Sequence, residues 1–597
     1  MKTGQFKMLL ISFIITIAVI VVAALFVWRV VWPEIRDLPF LQGFGPNRNV
    51  EDFHRQFNLN PNDTIVIFNG EWLREDIDPI VERNGGDVSV FLPAGFLRER
   101  IDPFLFWDEG AGVFFISTRT EMAELTPGSR EFLVNDVPRQ LSTPIRRVGN
   151  EIYLPIDLLG RLYPWIIEYR PLYNKVVITD ATEMHTVAQA ANANTAVRYF
   201  SNNRSSIGAL LEAGDRVFVF EDGESGADGE FVRVRTEDGL LGYTLHSDLH
   251  NFVTAEPSLS LSPVLSDWVD NTYQHPPDWS RDVRINLAWE LVDNQDANRL
   301  RMEIPMHPSV NVISPKWFHM DASGERINSI ANQQYIDWAQ SQGVYVWPLV
   351  FDAAISNRHD FLPNRDSRRH VINQLLNYVD TLGLDWLNID FEHLTPMEGL
   401  YKIQFLRELA IPMRQRGATL SAAVLPPIPA TAFYRRDLIG LTVDFVMVMT
   451  YDEHWSTSPI AGPNASLPWV QRAIDNMLLE VPREKLVMGI PLYVTMWREV
   501  VRDGALSTRQ VGMNLARSFF EERGVEWEWD SEVGSYFGEV AVTEENEAVI
   551  WRTWLEDERS IRAKMQLFAA YDLAGVASWH RVLGSQEAWA VIGSFFQ

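Results

Sequence analysis

The run Leu384-Asp385-Trp386-Leu387-Asn388-Ile389-Asp390-Phe391-Glu392 puts acids where a buried strand has no ordinary use for them. Side chains alternate along a strand, so Leu387, Ile389 and Phe391 share one face while Asn388, Asp390 and Glu392 share the other. Parallel strands covered on both faces normally read as continuous apolar runs. A buried carboxylate without partners is costly or takes up a proton. Stacked acids at that cost suggest chemistry.

Such acids need a frame, and the sequence from about residue 281 to 597 supplies a repeating one. Strand-like runs alternate with helical patterns at Arg284 to Trp289, Asn311 to Ser314, Val344 to Val350, Trp386 to Phe391, Thr419 to Leu425, Val443 to Thr450, Lys485 to Ile490 and Gly575 to Trp579. The fold class this predicts is α/β, a (β/α)8 TIM barrel. Active sites of such barrels lie at the C-terminal ends of the strands, so residues there are read together. Strand four ends in Asp390-Phe391-Glu392, strand six in Met447-Val448-Met449-Thr450-Tyr451-Asp452, strand seven in Gly489-Ile490-Pro491-Leu492-Tyr493 and strand eight in Ala577-Ser578-Trp579. The seventh connection is long, and Val525 to Trp551 reads as extra β-structure walling one side of a cleft.

The series from Asp385 to Glu392 resembles the signature of family 18 glycoside hydrolases, chitinases and related N-acetylglucosaminidases, which runs Asp-Gly-x-Asp-x-Asp-x-Glu. Trp386 stands where Gly is usual and Asn388 where Asp is common; the last Asp and the Glu are intact. The Met-Thr-Tyr-Asp run, the Gly-Ile-Pro-Leu-Tyr run and the late Trp occur in the same order, so the resemblance covers about residues 284 to 597. It implies a substrate-assisted reaction in which the sugar's 2-acetamido oxygen is the nucleophile and no cofactor or metal is needed. Glu392 is then the general acid and later the base, Asp390 its hydrogen-bonded neighbour, and Tyr451 a donor to the acetamide oxygen. Trp579, Asp452, Asn388, Tyr493 and Trp289 are implied as substrate-binding residues, and Asp385, with Asn388, as support for Asp390. The plain alternatives are a structural ion pair for the acids and core packing for Tyr451 and Trp579. Trp289, Trp317, Trp347 and Trp455 are candidate sugar platforms. His359, His370, His393 and His454 show no metal-ligand spacing.

Ahead of the barrel the sequence reads as several smaller parts. Residues 1–7 carry Lys2 and Lys7, and 8–28 form an uncharged apolar run long enough to span a bilayer. It ends without a small-residue cleavage site, which predicts a signal anchor with the N-terminus cytoplasmic and the rest outside, in a bacterial envelope. Residues 29–59 are a linker. Over 60–182 a weak repeat pairs Val90-Phe91-Leu92-Pro93 with Ile152-Tyr153-Leu154-Pro155, each followed by a short helix and a strand, Val113 to Ile116 and Val176 to Ile178. It resembles the stalk domain at the N-terminus of copper amine oxidases, without a His cluster and so without its metal. Residues 190–250 read as short strands with Asp238-Gly239 at a hairpin and resemble a bacterial SH3 module, a candidate binder of cell-wall peptide or a spacer. Residues 251–280, rich in proline, read as a linker.

A formal net charge of -27 disfavours nucleic acid and anionic membrane surfaces as partners, while neutral glycans such as peptidoglycan or chitin stay compatible. Cysteine is absent, so disulfide and thiol chemistry are too. The function these readings predict is a membrane-anchored glycosidase cleaving β-1,4 bonds next to N-acetylglucosamine in peptidoglycan or its fragments. A chitinase and a glycan-binding lectin or scaffold stay open, Trp386 and Asn388 being the features that keep the lectin alive.

Overall fold

The computed structural model describes residues 47–74, 77–85, 87–226, 229–256, 263–265, 269, 284–321, 324–352, 359–392 and 394–596. The apolar run 8–28 lies outside the described residues, as does most of the linker after 256. Among the described residues no helix is long and apolar enough to cross a membrane. The chain forms two compact units, Met1–Phe96 with Leu141–Trp268, and Leu97–Gln140 with Val269–Gln597.

In the first unit the strand of each repeat is present, and the two lie side by side as antiparallel neighbours with Leu92 opposite Leu154. Each runs into a short helix, Ala94–Arg100 and Ile156–Leu162. After the helices the copies part. Lys175–Asp180 pairs in parallel with Ile65–Phe68. Val113–Ser117 instead joins a five-stranded antiparallel meander, Phe106–Asp108 to Val137–Gln140, which belongs to the second unit. Residues 97–140, inside the span 60–182 read as one stalk, therefore group with the barrel. Asn135 and Asp136, both at positive φ, close the last hairpin of the meander between Val134 and Val137. Residues 185–255 form a seven-stranded antiparallel sheet, with Gly239 at φ 83° in the Asp238-Gly239 turn. Its last strand, Leu249–Ala255, takes up the start of the span read as linker.

The second unit holds the barrel. Its strands are β1 Ile285–Glu290, β2 Val312–Met320, β3 Leu349–Phe351, β4 Trp386–Asp390, β5 Thr419–Val424, β6 Phe445–Val448, β7 Leu486–Pro491 and β8 Gly575–Trp579. All neighbours are parallel, and β1 closes the ring by pairing with β2 at Leu287 and Val312 and with β8 at Ile285 and Gly575. Each strand predicted for the barrel is present. Between β7 and β8 stands a five-stranded antiparallel sheet that begins at Tyr493 and ends at Leu555, larger than the predicted Val525 to Trp551.

The alternation along β4 is realised. Leu387 and Ile389 face outward into the layer of helices, among Ile403, Leu406 and Leu409. Trp386 faces inward, where its ring stacks on Trp347 at 3.8 Å and 13°, with Phe445 alongside. Trp386, at the position where Gly is usual, thus fills the barrel beneath the acids. The helix that follows β4, Pro396–Gln415, has its start fixed by the Thr395–Glu398 capping box with Pro396 in the first turn.

Candidate active site

Trp386, Asn388 and Asp390 face inward along β4, and Glu392 follows two residues past its end, near enough for its charge to act on Asp390. Asn388 is tied sideways, its amide donating to Ser421 Oγ of β5 at 2.9 Å and its oxygen accepting from Trp289 Nε1 of β1 at 3.4 Å. Asp390 is 9% exposed, and its Oδ1 has no hydrogen-bond partner among the described residues. Burial, then the charges of Glu392 and Asp352, push its carboxyl well above the usual range, with Lys402 and Lys316 opposing. Asp390 therefore holds a proton readily beside Glu392.

The backbone around Glu392 is gripped from other elements. Its N–H donates to Asp352 Oδ2 at 3.1 Å, just past β3. The carbonyl of Phe391 accepts from the buried Lys402 Nζ at 3.0 Å, and the carbonyl of Glu392 accepts from the Tyr434 hydroxyl. His359 lies 3.5 Å from Asp352. Burial pulls the Lys402 ammonium down to about 8, and the charges of Asp390, Asp352 and Glu392 hold it up.

Tyr451 follows β6. Burial, then Asp390 and Glu392, push its phenol well above the ordinary value, so it remains a neutral hydroxyl facing both acids. Its ring meets Trp289 edge-on at 6.4 Å, and Trp289 meets Trp579 at 6.1 Å. Gly489 makes room for this: a Cβ there would lie 3.0 Å from Tyr451 Cε1 and 2.7 Å from the Val448 carbonyl. Tyr493 donates its hydroxyl to Asp452.

The barrel mouth also contains an ordinary ion pair for contrast. Glu290, at the end of β1, is fully buried and paired with Arg581 and, at 3.4 Å, with Arg301. Among the described residues Asp390 has no such hydrogen-bonded cation. Among the described residues no group of His, Cys, Asp or Glu is arranged to hold a metal ion.

Residues 341–583 match the family described as Glycosyl hydrolases family 18. Over 338 residues the chain is 28% identical to the Cortical fragment-lytic enzyme of Bacillus subtilis (strain 168), covering 54% of this chain and 76% of that protein. Over 307 residues it is 24% identical to the Uncharacterized glycosylase YvbX of the same organism, covering 48% and 85%. The barrel is a family 18 glycosyl hydrolase. The crystal structure of the Bacillus cereus spore cortex-lytic enzyme SleL aligns with a TM-score of 0.47 at 20% identity, covering 53% of this chain and 74% of that one.

Within this family 18 barrel the structure brings together Asp390, Glu392, Tyr451, Trp289, Trp579 and Asn388, with Tyr493 and Asp452 paired beside them. Asp385 is not among them. It is exposed at the start of β4, about 16 Å from Asp390 at ~3.3 Å per residue, so it does not support that carboxyl. Asn388 turns its hydrogen bonds to β1 and β5 instead of Asp390. Trp317 and Trp347 are fully buried in packing and offer no face to a sugar, and Trp289, at 2% exposed, is buried behind Trp579 in the same way, whereas Trp455 is 53% exposed. Sequence reading missed Asp352, Lys402 and Tyr434. Asp352 had a signal, since it ends the strand Leu349-Val350-Phe351 as Asp390 ends β4; Lys402 and Tyr434 had none.

Proposed function

We propose that the chain is an envelope glycosidase, anchored through residues 8–28, that cleaves β-1,4 bonds next to N-acetylglucosamine in peptidoglycan or its fragments. The observation that carries the reaction is the buried, unpartnered Oδ1 of Asp390, set beside Glu392 with its carboxyl pushed upward. An orphaned buried polar atom of that kind calls for a ligand group or a shared proton. Glu392 donates its proton to the glycosidic oxygen while the sugar's acetamide oxygen attacks C1 and the C1–O bond breaks. The leaving chain departs as an alcohol, and the sugar becomes an oxazolinium held by Asp390 at the acetamide N–H and by Tyr451 at its oxygen. Water then attacks C1 and gives its proton to Glu392 as the C1–O bond to the acetamide oxygen breaks and the acetamide is restored, so the anomeric configuration is retained. Trp579, partly exposed, forms the apolar floor under the sugar, and the buried Trp289 backs its ring. The name of the Bacillus subtilis relative, a cortical fragment-lytic enzyme, supports a peptidoglycan-derived substrate.

The test is mass spectrometry of products from purified peptidoglycan and, separately, from chitin oligosaccharides, with Glu392→Gln as control. New reducing N-acetylglucosamine ends on muropeptides, absent in the control, are expected. Turnover of chitin oligosaccharides alone makes the protein a chitinase, and binding without turnover makes it a lectin. The anchor predicts that the full chain needs detergent for extraction; a mature N-terminus beyond residue 28 would overturn it.

A further inference from the structure

The peptide bond between Phe391 and Glu392 is held at both ends by opposite charges. The Lys402 ammonium, 1% exposed, sits on the carbonyl oxygen at 3.0 Å, and the Asp352 carboxylate takes the N–H at 3.1 Å. That order follows the peptide dipole, cation at the oxygen and anion at the N–H, and charge-assisted bonds are the stronger kind. The next carbonyl, of Glu392 itself, takes the Tyr434 hydroxyl. These groups come from the end of β3, the helix Pro396–Gln415 and the short helix Pro429–Tyr434, so none depends on β4. A buried ammonium is costly where an apolar side chain of similar length would pack. Its position is set by the capping box that starts its helix at Thr395.

We propose that Lys402 and Asp352 are positioning residues that clamp the peptide carrying Glu392 and set the charge against which Asp390 titrates. This rests on Glu392 being the general acid. The groups facing Lys402 are Asp390 and Glu392 from β4, Asp352 past β3, and Tyr434 and Arg436 after β5; Lys316 of β2 acts on Asp390, and His359 stands beside Asp352. The Lys402 cation favours the Asp390 carboxylate and the Asp352 anion opposes it. Neutralising Lys402 therefore moves the limb of the rate profile belonging to Asp390 to higher pH, and neutralising Asp352 moves it to lower pH.

The experiment is a pH profile of kcat and KM for the full chain in detergent, on a substrate it turns over, for wild type, Lys402→Met, Lys402→Arg, Asp352→Asn and Glu392→Gln. Lys402→Met is expected to lose about 100-fold in kcat, the scale of a misplaced catalytic group, with KM changed less than about threefold. Lys402→Arg restores part of the rate and the position of the limb. Opposite shifts for Lys402→Met and Asp352→Asn support the clamp, because a loss of packing alone moves neither. Folded variants that keep kcat within about threefold of wild type with unmoved limbs, or limbs that move the same way, overturn it. If Lys402→Met does not fold, Asp352→Asn carries the test, since it keeps an oxygen for the N–H and removes only the charge. A Glu392→Gln enzyme that still turns over rejects the general acid itself; an inactive one beside an unaffected Lys402→Met rejects the clamp alone.

Discussion

At the scale of the residue, the acids of β4 trade stability for chemistry. Asp390 is raised in the folded chain, chiefly by burial and then by Glu392 and Asp352. The stability such a group contributes is complete below its unfolded-state pKa, near ~3.9, and is lost as pH rises through the folded value. At pH 7 the native acid is therefore under strain that a neutral amide of the same shape lacks. Asp390→Asn is expected to raise the melting temperature at pH 7 by about 1–2 °C, the worth of ~1 kcal/mol in a barrel of this size. The gain narrows as the pH falls and the native acid takes up its proton. The same variant should lose most of its rate and shift the acidic limb of the profile. An equal or lower melting temperature at pH 7 would remove the strain from this account. Glu392→Gln isolates proton donation and is expected to cost at least ~100-fold in kcat while glycan binding, read by calorimetry, stays near wild type. Comparable turnover in that variant would sink the assignment of the acid.

At the scale of the element, what the sequence disclosed depended on whether one element carried the information. β4 was legible because period-two alternation of acids and aliphatics lies within one strand, and the eight strands because each is a short apolar run between turn signals. Trp386 looked like a departure from a signature; the stacking on Trp347 shows it as the floor of the site. Asp352, Lys402 and Tyr434 bond the backbone of Phe391 and Glu392 from elements up to 42 residues away, and no local pattern marks such contacts. Asp385 misled because adjacency in sequence along a strand is distance in space. Gly489 tests the packing of two elements, as β7 approaches the ring of Tyr451 with no room for a methyl group. Gly489→Ala is expected to lower kcat at least ~10-fold by displacing Tyr451, with a drop of ~1–3 kcal/mol in stability from overpacking. Tyr451→Phe should lose rate with little loss of stability. If Gly489→Ala keeps full activity, the ring does not need the space this glycine leaves.

At the scale of the whole molecule, the second unit depends on a segment that the sequence filed with the stalk. The repeat between residues 60 and 182 was visible, but its two copies diverge after their helices, and a repeat predicts like folding for like sequence only while hairpin turns agree. The meander of residues 97–140 has barrel helices as its partners. Arg368, fully buried on the helix Arg365–Leu382, bonds Asp108 at 3.2 Å and Glu408 at 2.8 Å. Arg407 bonds the Ser117 carbonyl at 2.9 Å and lies 3.9 Å from the ring of Phe104, which itself belongs to the barrel's apolar core. Glu124 pairs with Arg365 and Arg369, and Phe115 and Met122 pack on Ile411. Arg407 and Glu408 stand on the helix that also carries Lys402, so the meander grips the element that reaches the catalytic peptide. Asp108→Asn removes one charge while keeping the oxygen that caps the turn at Ala111. The expected cost is about 2 kcal/mol, less than the ~3–5 for breaking a lone buried pair because Glu408 still faces Arg368. It is read as a lower denaturant midpoint for loss of glycosidase activity, so that the barrel itself is followed. A stability within ~0.5 kcal/mol of wild type would mean that the barrel stands without the meander, and that a stalk domain ending near residue 182 describes the chain better than a division at Leu97 and Gln140.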